Sequence, residues 1–208
     1  AMADVPRIEA LRAGVEASGL AWRGALHPEP GDGVPDLPGG RPAATLVLLG
    51  FVGRAQWPAF AASAEFADGR PDPLDRWSRR VIGELARRHA GLALDPSTGP
   101  PWWPFQRWAQ RAEPVYPSPL GILIHPDWGL WHAYRGALAL AVRLALPARD
   151  ERPSPCASCA RRPCLAACPV GAIGARGSTA AAKVTSLPLG SKRRSVAKTS
   201  ASIVEEER

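Results

Sequence analysis

All four cysteines of this 208-residue chain fall within 13 residues, as Cys156-Ala-Ser-Cys159-Ala-Arg-Arg-Pro-Cys164-Leu-Ala-Ala-Cys168-Pro169. Their pattern is C-x2-C-x4-C-x3-C-P. Four thiolates this close repel one another unless a cation shares their charge. An iron–sulfur cluster supplies that charge and accepts cysteine at every corner. A zinc knuckle uses the same ligand type, and a set of free thiols is the bland alternative. Small neighbours (Ala157, Ala160, Ala166, Ala167) leave room beside such a group, and Pro169 turns the chain away after the last cysteine. Cys156, Cys159, Cys164 and Cys168 are therefore the candidate metal ligands.

The run resembles the bacterial ferredoxin pattern C-x2-C-x2-C-x3-C-P, with two extra residues between the second and third cysteines, and Val170-Gly171-Ala172-Ile173 continues as in that family. The resemblance implies a 4Fe–4S cluster, an electron-transfer role and a redox partner protein. In two-cluster ferredoxins the fourth cysteine of such a run binds the other cluster, and no second run follows here. On that analogy Cys156, Cys159 and Cys164 share one cluster and Cys168 is left over, unless the four hold one cluster by themselves. The text from Gly174 onward differs in kind. All three lysines (Lys183, Lys192, Lys198) lie there, and no aromatic residue follows Tyr134. The reading is a flexible basic tail over 174–208, standing where a partner run would be, as in a truncated or frame-shifted two-cluster domain.

The elements that must carry this segment lie upstream. Residues 4–18 predict a helix closed by Gly19, with Ile8, Leu11 and Val15 on one face. Gly24 to Pro42 reads as loop. Thr45–Gly50 is a short apolar run, expected as a strand buried on both faces. Residues 51–73 form a long connection. A second helix starts at Asp72, expected as its cap, with Pro73 in the first turn, and Gly91 can close it. Residues 95–119 hold seven prolines and three tryptophans and predict a packed irregular loop. Leu120–His125 reads as a strand, Pro126–Gly129 as a turn, and Leu130–Leu146 as an apolar helix. This alternation gives an α/β fold, or α+β, divided into a globular domain over 1–148, a cysteine segment over 149–173 and the tail.

The segment from Ile124 to Gly136, IHPDWGLWHAYRG, resembles a run in the cobalamin-processing chaperones of the methylmalonic aciduria type C group. The order strand, Pro-x-x-Gly turn, aromatic-rich stretch and cysteine cluster is also similar to epoxyqueuosine reductase. The resemblance covers about residues 75–175, and only the cysteine run is specific. It implies a nitroreductase-like core able to hold a corrinoid (cobalamin) or a flavin beside the iron–sulfur donor, with a carboxylate as general acid. Asp75 is the nearest match for that acid; as a residue of a first helical turn it also suits the helix dipole. His125, Trp128, Trp131 and Arg135 are the candidate cofactor contacts. Each has a plainer role: a hydrogen-bonded histidine, core indoles together with Tyr134, and an arginine paired with an acid.

Composition sets the outer limits. With 46% hydrophobic and 22% charged residues the chain is not broadly disordered. No apolar run reaches the ~20 residues of a membrane span, no secretory leader is evident, and four cysteines are too few for a disulfide scaffold; a reducing cytoplasm is the expected setting. Neither G-x-G-x-x-G nor G-K-[ST] occurs. The formal net charge of +7 comes almost wholly from residues 149–208. Nucleic acid is not an expected partner, because no aromatic residue interleaves those basic positions.

Overall fold

The computed structural model describes residues 5–97, 99–167, 169, 173, 174, 177 and 178. In chain order the elements are α1 (Val5–Ala17), β1 (Ala21–Leu26), a 3-10 turn (Pro30–Asp32), β2 (Thr45–Val52), α2 (Trp57–Ala61), α3 (Ala64–Ala67), α4 (Pro73–Arg88) and β3 (Leu92–Leu94). They continue with α5 (Phe105–Ala112), β4 (Tyr116–Pro117), β5 (Leu123–Ile124), β6 (His132–Leu140), α6 (Pro163–Ala166), β7 (Ile173–Gly174) and β8 (Gly177–Ser178).

The main sheet has the order β1-β2-β6-β3, and every strand pair is antiparallel. The fold is therefore α+β; no parallel βαβ unit occurs among the described residues. β2 is central, and Leu46, Val47, Leu48 and Leu49 are fully buried. Successive side chains of a strand point to opposite faces. Val47 and Leu49, with Leu138 and Leu140, pack on Leu11 and Val15 of α1 and on Trp77, Val81 and Leu85 of α4. Leu46 and Leu48, with Ala137 and Ala139, pack on Phe105, Trp108 and Ala109 of α5 and on Leu123 of β5. Three layers result, with the sheet between two apolar cores.

The helix expected over 130–146 is instead strand β6. Both faces of its second half, Gly136–Leu140, are covered, so this part lacks the polar alternation that marks a half-exposed strand, and its Ala/Leu run reads equally as helix. Several other expectations change. The loop read over 24–42 begins inside β1 and contains the 3-10 turn. The irregular stretch 95–119 contains α5, which buries Trp108 completely. Of the 120–125 strand, Leu123–Ile124 pairs with Tyr116–Pro117, and His125 forms a separate bridge to Gly129 across the turn. Asp72 precedes α4 with φ 53° and makes no side-chain cap; its left-handed backbone departs from the extended conformation that a capping residue adopts. α4 closes through His89 and Ala90, the latter at φ 48°, just ahead of Gly91.

The sheet is irregular at two places. Trp22 faces Leu49 while Ala25 faces Val47, so β1 carries one extra residue across Arg23–Gly24. Leu49 faces Gly136 while Gly50 faces Tyr134, so β6 carries Arg135 as an extra residue. A β-bulge bends the strand and re-aims a side chain. Gly24 has φ 112°, and a Cβ there would lie 2.8 Å from the Ala112 carbonyl oxygen. Both bulged segments thus deliver an arginine off the regular pleat.

Candidate functional site

The first site is the cysteine segment. It is fastened to the body by Arg152, whose guanidinium donates to both carboxylate oxygens of Asp127, at 2.6 and 2.8 Å. The same side chain donates to Asp150 at 2.8 Å, and the Tyr116 hydroxyl donates to the Arg152 carbonyl. Arg149 adds a bond to the Glu113 carbonyl at 3.2 Å. Hydrogen bonding by Arg152 holds Asp127 below the ordinary carboxylate range; its backbone N–H, then its side chain, does the same for Asp150. Cys156, Cys159 and Cys164 follow as free thiols, each half-buried, the last within α6. Arg162 enters α6 at φ 39° and Pro163 starts it.

In kind, this donor set suits an iron–sulfur group: unpaired thiols, partly open, on short turns. Among the described residues no three His, Cys, Asp or Glu side chains are gathered to hold a metal ion. Cys168 lies outside the described residues, as does nearly all of the tail; the boundary set at residue 174 is crossed by the β7–β8 pair.

The second site was not visible as a unit in the sequence. Arg23, 1% exposed, sits inside the body. Its Nη2 and Nε donate to the two Glu113 carboxylate oxygens at 2.7 and 3.3 Å. Its Nη1 donates to the carbonyls of Phe51 at 3.0 Å and Ala133 at 3.5 Å, and Nη2 also reaches His132 Nδ1 at 3.2 Å. All five guanidinium donors are thereby used. The head group lies 4.8 Å from the Tyr134 ring centroid and 5.3 Å from that of Trp128. Trp128 in turn stacks on His125 at 4.1 Å.

Donor logic fixes both histidines. Arginine only donates, so His132 Nδ1 accepts, and its Nε2–H donates to the Leu123 carbonyl at 3.1 Å. His125 Nδ1 accepts from the Asp127 backbone N–H at 3.0 Å. Burial, then the Arg23 charge, lowers both: His125 to about 4, and His132 below the usual histidine range. Both rings are neutral at pH 7. Burial pushes the Glu113 carboxyl up, while Arg23 and the donating Tyr134 hydroxyl pull it back. Burial, then the neighbouring Glu113, raises Tyr134, which stays a hydroxyl.

The remaining candidates separate. Asp75 and Arg135 find each other: Arg135 Nη2 donates to Asp75 and its Nε to the Ser78 hydroxyl at 3.0 Å. His125 and Trp128 belong to the Arg23 stack. Trp131, expected in the core, is 80% exposed, because it falls between the turn and the first residue of β6. Arg23 and Glu113 were missed. Arg23 stands beside a glycine in an apolar stretch, which is a bulge signal, but its burial is a tertiary fact. No helix among the described residues is long and apolar enough to cross a membrane. Neither a protein-family model nor a curated protein matches this chain.

Proposed function

We propose that the protein is an iron–sulfur electron carrier of ferredoxin type, in which Cys156, Cys159, Cys164 and Cys168 would hold a 4Fe–4S cluster. The observation that carries this reading is the placement of three free, half-buried thiols on a segment pinned to the body through Arg152. Such a group, when bound, supplies a one-electron couple. The residues of this chain would do the rest. Arg152 and Tyr116 fix the start of the segment, the half-open thiols keep the centre near the surface, and a redox partner protein exchanges electrons there. Zinc in the same thiols is the competing occupant.

Anaerobic purification followed by iron and sulfide assays tests the proposal. The expected result is a brown protein with about four irons and four sulfides per chain. A colourless protein with one zinc per chain overturns it.

A second reading is favoured by Trp131. The stretch from Asp127 to Trp131 touches the cysteine segment through Arg152, and Trp131 leaves its indole in solvent. A planar corrinoid or flavin against that indole, on a nitroreductase-like core, would make the protein a reductase fed by the cluster. Titration with hydroxocobalamin and with flavin mononucleotide tests this. Saturable binding lost in Trp131→Ala supports the reductase, and no binding leaves the electron carrier.

A further inference from the structure

A cleft of about 560 Å³ opens between β1, the end of α5 and the chain from Arg143 to Asp150. Its wall carries five arginines (Arg12, Arg23, Arg111, Arg143 and Arg149) against three carboxylates, Glu29, Glu113 and Asp150. Each carboxylate is already spoken for. Glu113 is bound by Arg23 at 2.7 Å, Glu29 by Arg111 at 2.7 Å, and Asp150 by Arg152 at 2.8 Å. Arg111 also holds Asp32, and Arg149 reaches Glu151 at 3.0 Å.

Two guanidinium groups are left over. Among the described residues Arg143 has neither an ion pair nor a hydrogen-bond partner, and Arg12 has only the Trp22 ring, 5.3 Å from its head group. The Nε of Arg149 is the one buried side-chain donor among the described residues without an acceptor. The cleft thus carries uncompensated positive charge on a concave wall that also presents an indole. Its size falls within the range of small-ligand sites. Planar guanidinium forks match the oxygens of a phosphoryl group, and two forks lining one cavity suit a dianion better than a single carboxylate.

We infer that this cleft is a binding site for a small phosphorylated anion, held by Arg12 and Arg143 beside Trp22. The inference does not rest on the cysteine segment carrying iron. The phosphoryl group is the shared chemistry; a free phosphate and a nucleotide are its two sources.

Calorimetric titration of the full chain with pyrophosphate and with AMP, at low salt, tests it. One-to-one binding is expected, weakened about tenfold in Arg143→Gln and further in the Arg12→Gln/Arg143→Gln double variant, since each removes a charge-assisted hydrogen bond. Both side chains are exposed, so the variants should fold, which circular dichroism checks. Arg54→Gln removes an exposed charge outside the cleft and should bind as the parent does. Tighter binding of AMP than of pyrophosphate assigns the site to nucleotides, with Trp22 meeting the base; the reverse order assigns it to phosphate alone. Absence of saturable binding by either probe, or an equal loss in Arg54→Gln, overturns the inference.

Discussion

The guanidinium of Arg23 and the carboxylate of Glu113 meet at 2.7 Å inside the body, joining the bulge of β1 to the residue that ends α5. Removing one member of a buried pair strands the other charge, a loss of about 3–5 kcal/mol. Glu113→Ala is therefore expected to lower stability by about that amount in urea unfolding. The double variant Arg23→Met/Glu113→Leu removes both charges and should recover most of the loss. A double variant no more stable than Glu113→Ala would show that packing, not charge, sets the cost.

Acid should destabilise the fold through the histidines. The unfolded His125 takes a proton near pH 6.5, whereas the folded ring resists until about pH 4. Below 6.5 the unfolded state binds more protons, so stability falls as the pH drops towards 4 and levels off beneath it. His132 acts in the same sense. Glu113, whose folded carboxyl is raised, acts in the opposite sense as the pH rises through its folded value. The contribution of His125 is isolated by comparison with His125→Asn, which should show a shallower fall between pH 6.5 and 4. Urea midpoints at four or five pH values measure it; parallel curves would contradict the neutral, buried ring.

Arg152 ties the cysteine segment down but is itself half exposed, and exposed ion pairs contribute little to global stability. Arg152→Ala should leave the unfolding midpoint nearly unchanged. It should speed proteolytic cleavage in the segment from Arg149 to Ala167, because a local opening needs far less than global unfolding. Limited trypsin digestion followed by mass spectrometry reads this directly.

Asp75→Asn should lower stability by about 1 kcal/mol through the lost pairing with Arg135. It should not alter iron or sulfide content. A large fall in a cobalamin-dependent reduction with unchanged stability would instead return Asp75 to the role of general acid.

Gly50 faces the β6 bulge, and a Cβ there would lie 1.9 Å from the Ala133 carbonyl oxygen. Two strands must move apart to admit it. Gly50→Ala is expected to cost about 3 kcal/mol, at the upper end of ordinary overpacking, measured as soluble yield and unfolding midpoint.

Local signals were legible where one turn of chain contains them. The face formed by Ile8, Leu11 and Val15 marked α1, and the Asp72-Pro73 start marked α4. β2 was legible because a fully buried strand reads as an unbroken apolar run. β6 was not, since Ala137 to Leu140 satisfies either period and only the neighbours on both sides decide between them. α5 was hidden by the prolines around it. At the cysteine segment the ligand types and spacing were plain, but its attachment through Asp127 was not, since Asp127 and Arg152 are 25 residues apart. The Arg23 network joins four elements and starts from a β-bulge, which no short window of sequence records.

The saturation of Arg23 also bears on how the sheet finds its order. Shifting β1 along β2 by a single position would swing that cation away from its five acceptors and leave it facing hydrocarbon. Misaligned pairings are thus penalised by an unsolvated charge, while the correct one satisfies every donor. The bulge at Arg23–Gly24 thus acts as a key that fits one alignment of β1 on its neighbour, and a slipped form bears its penalty once the layers close over the charge.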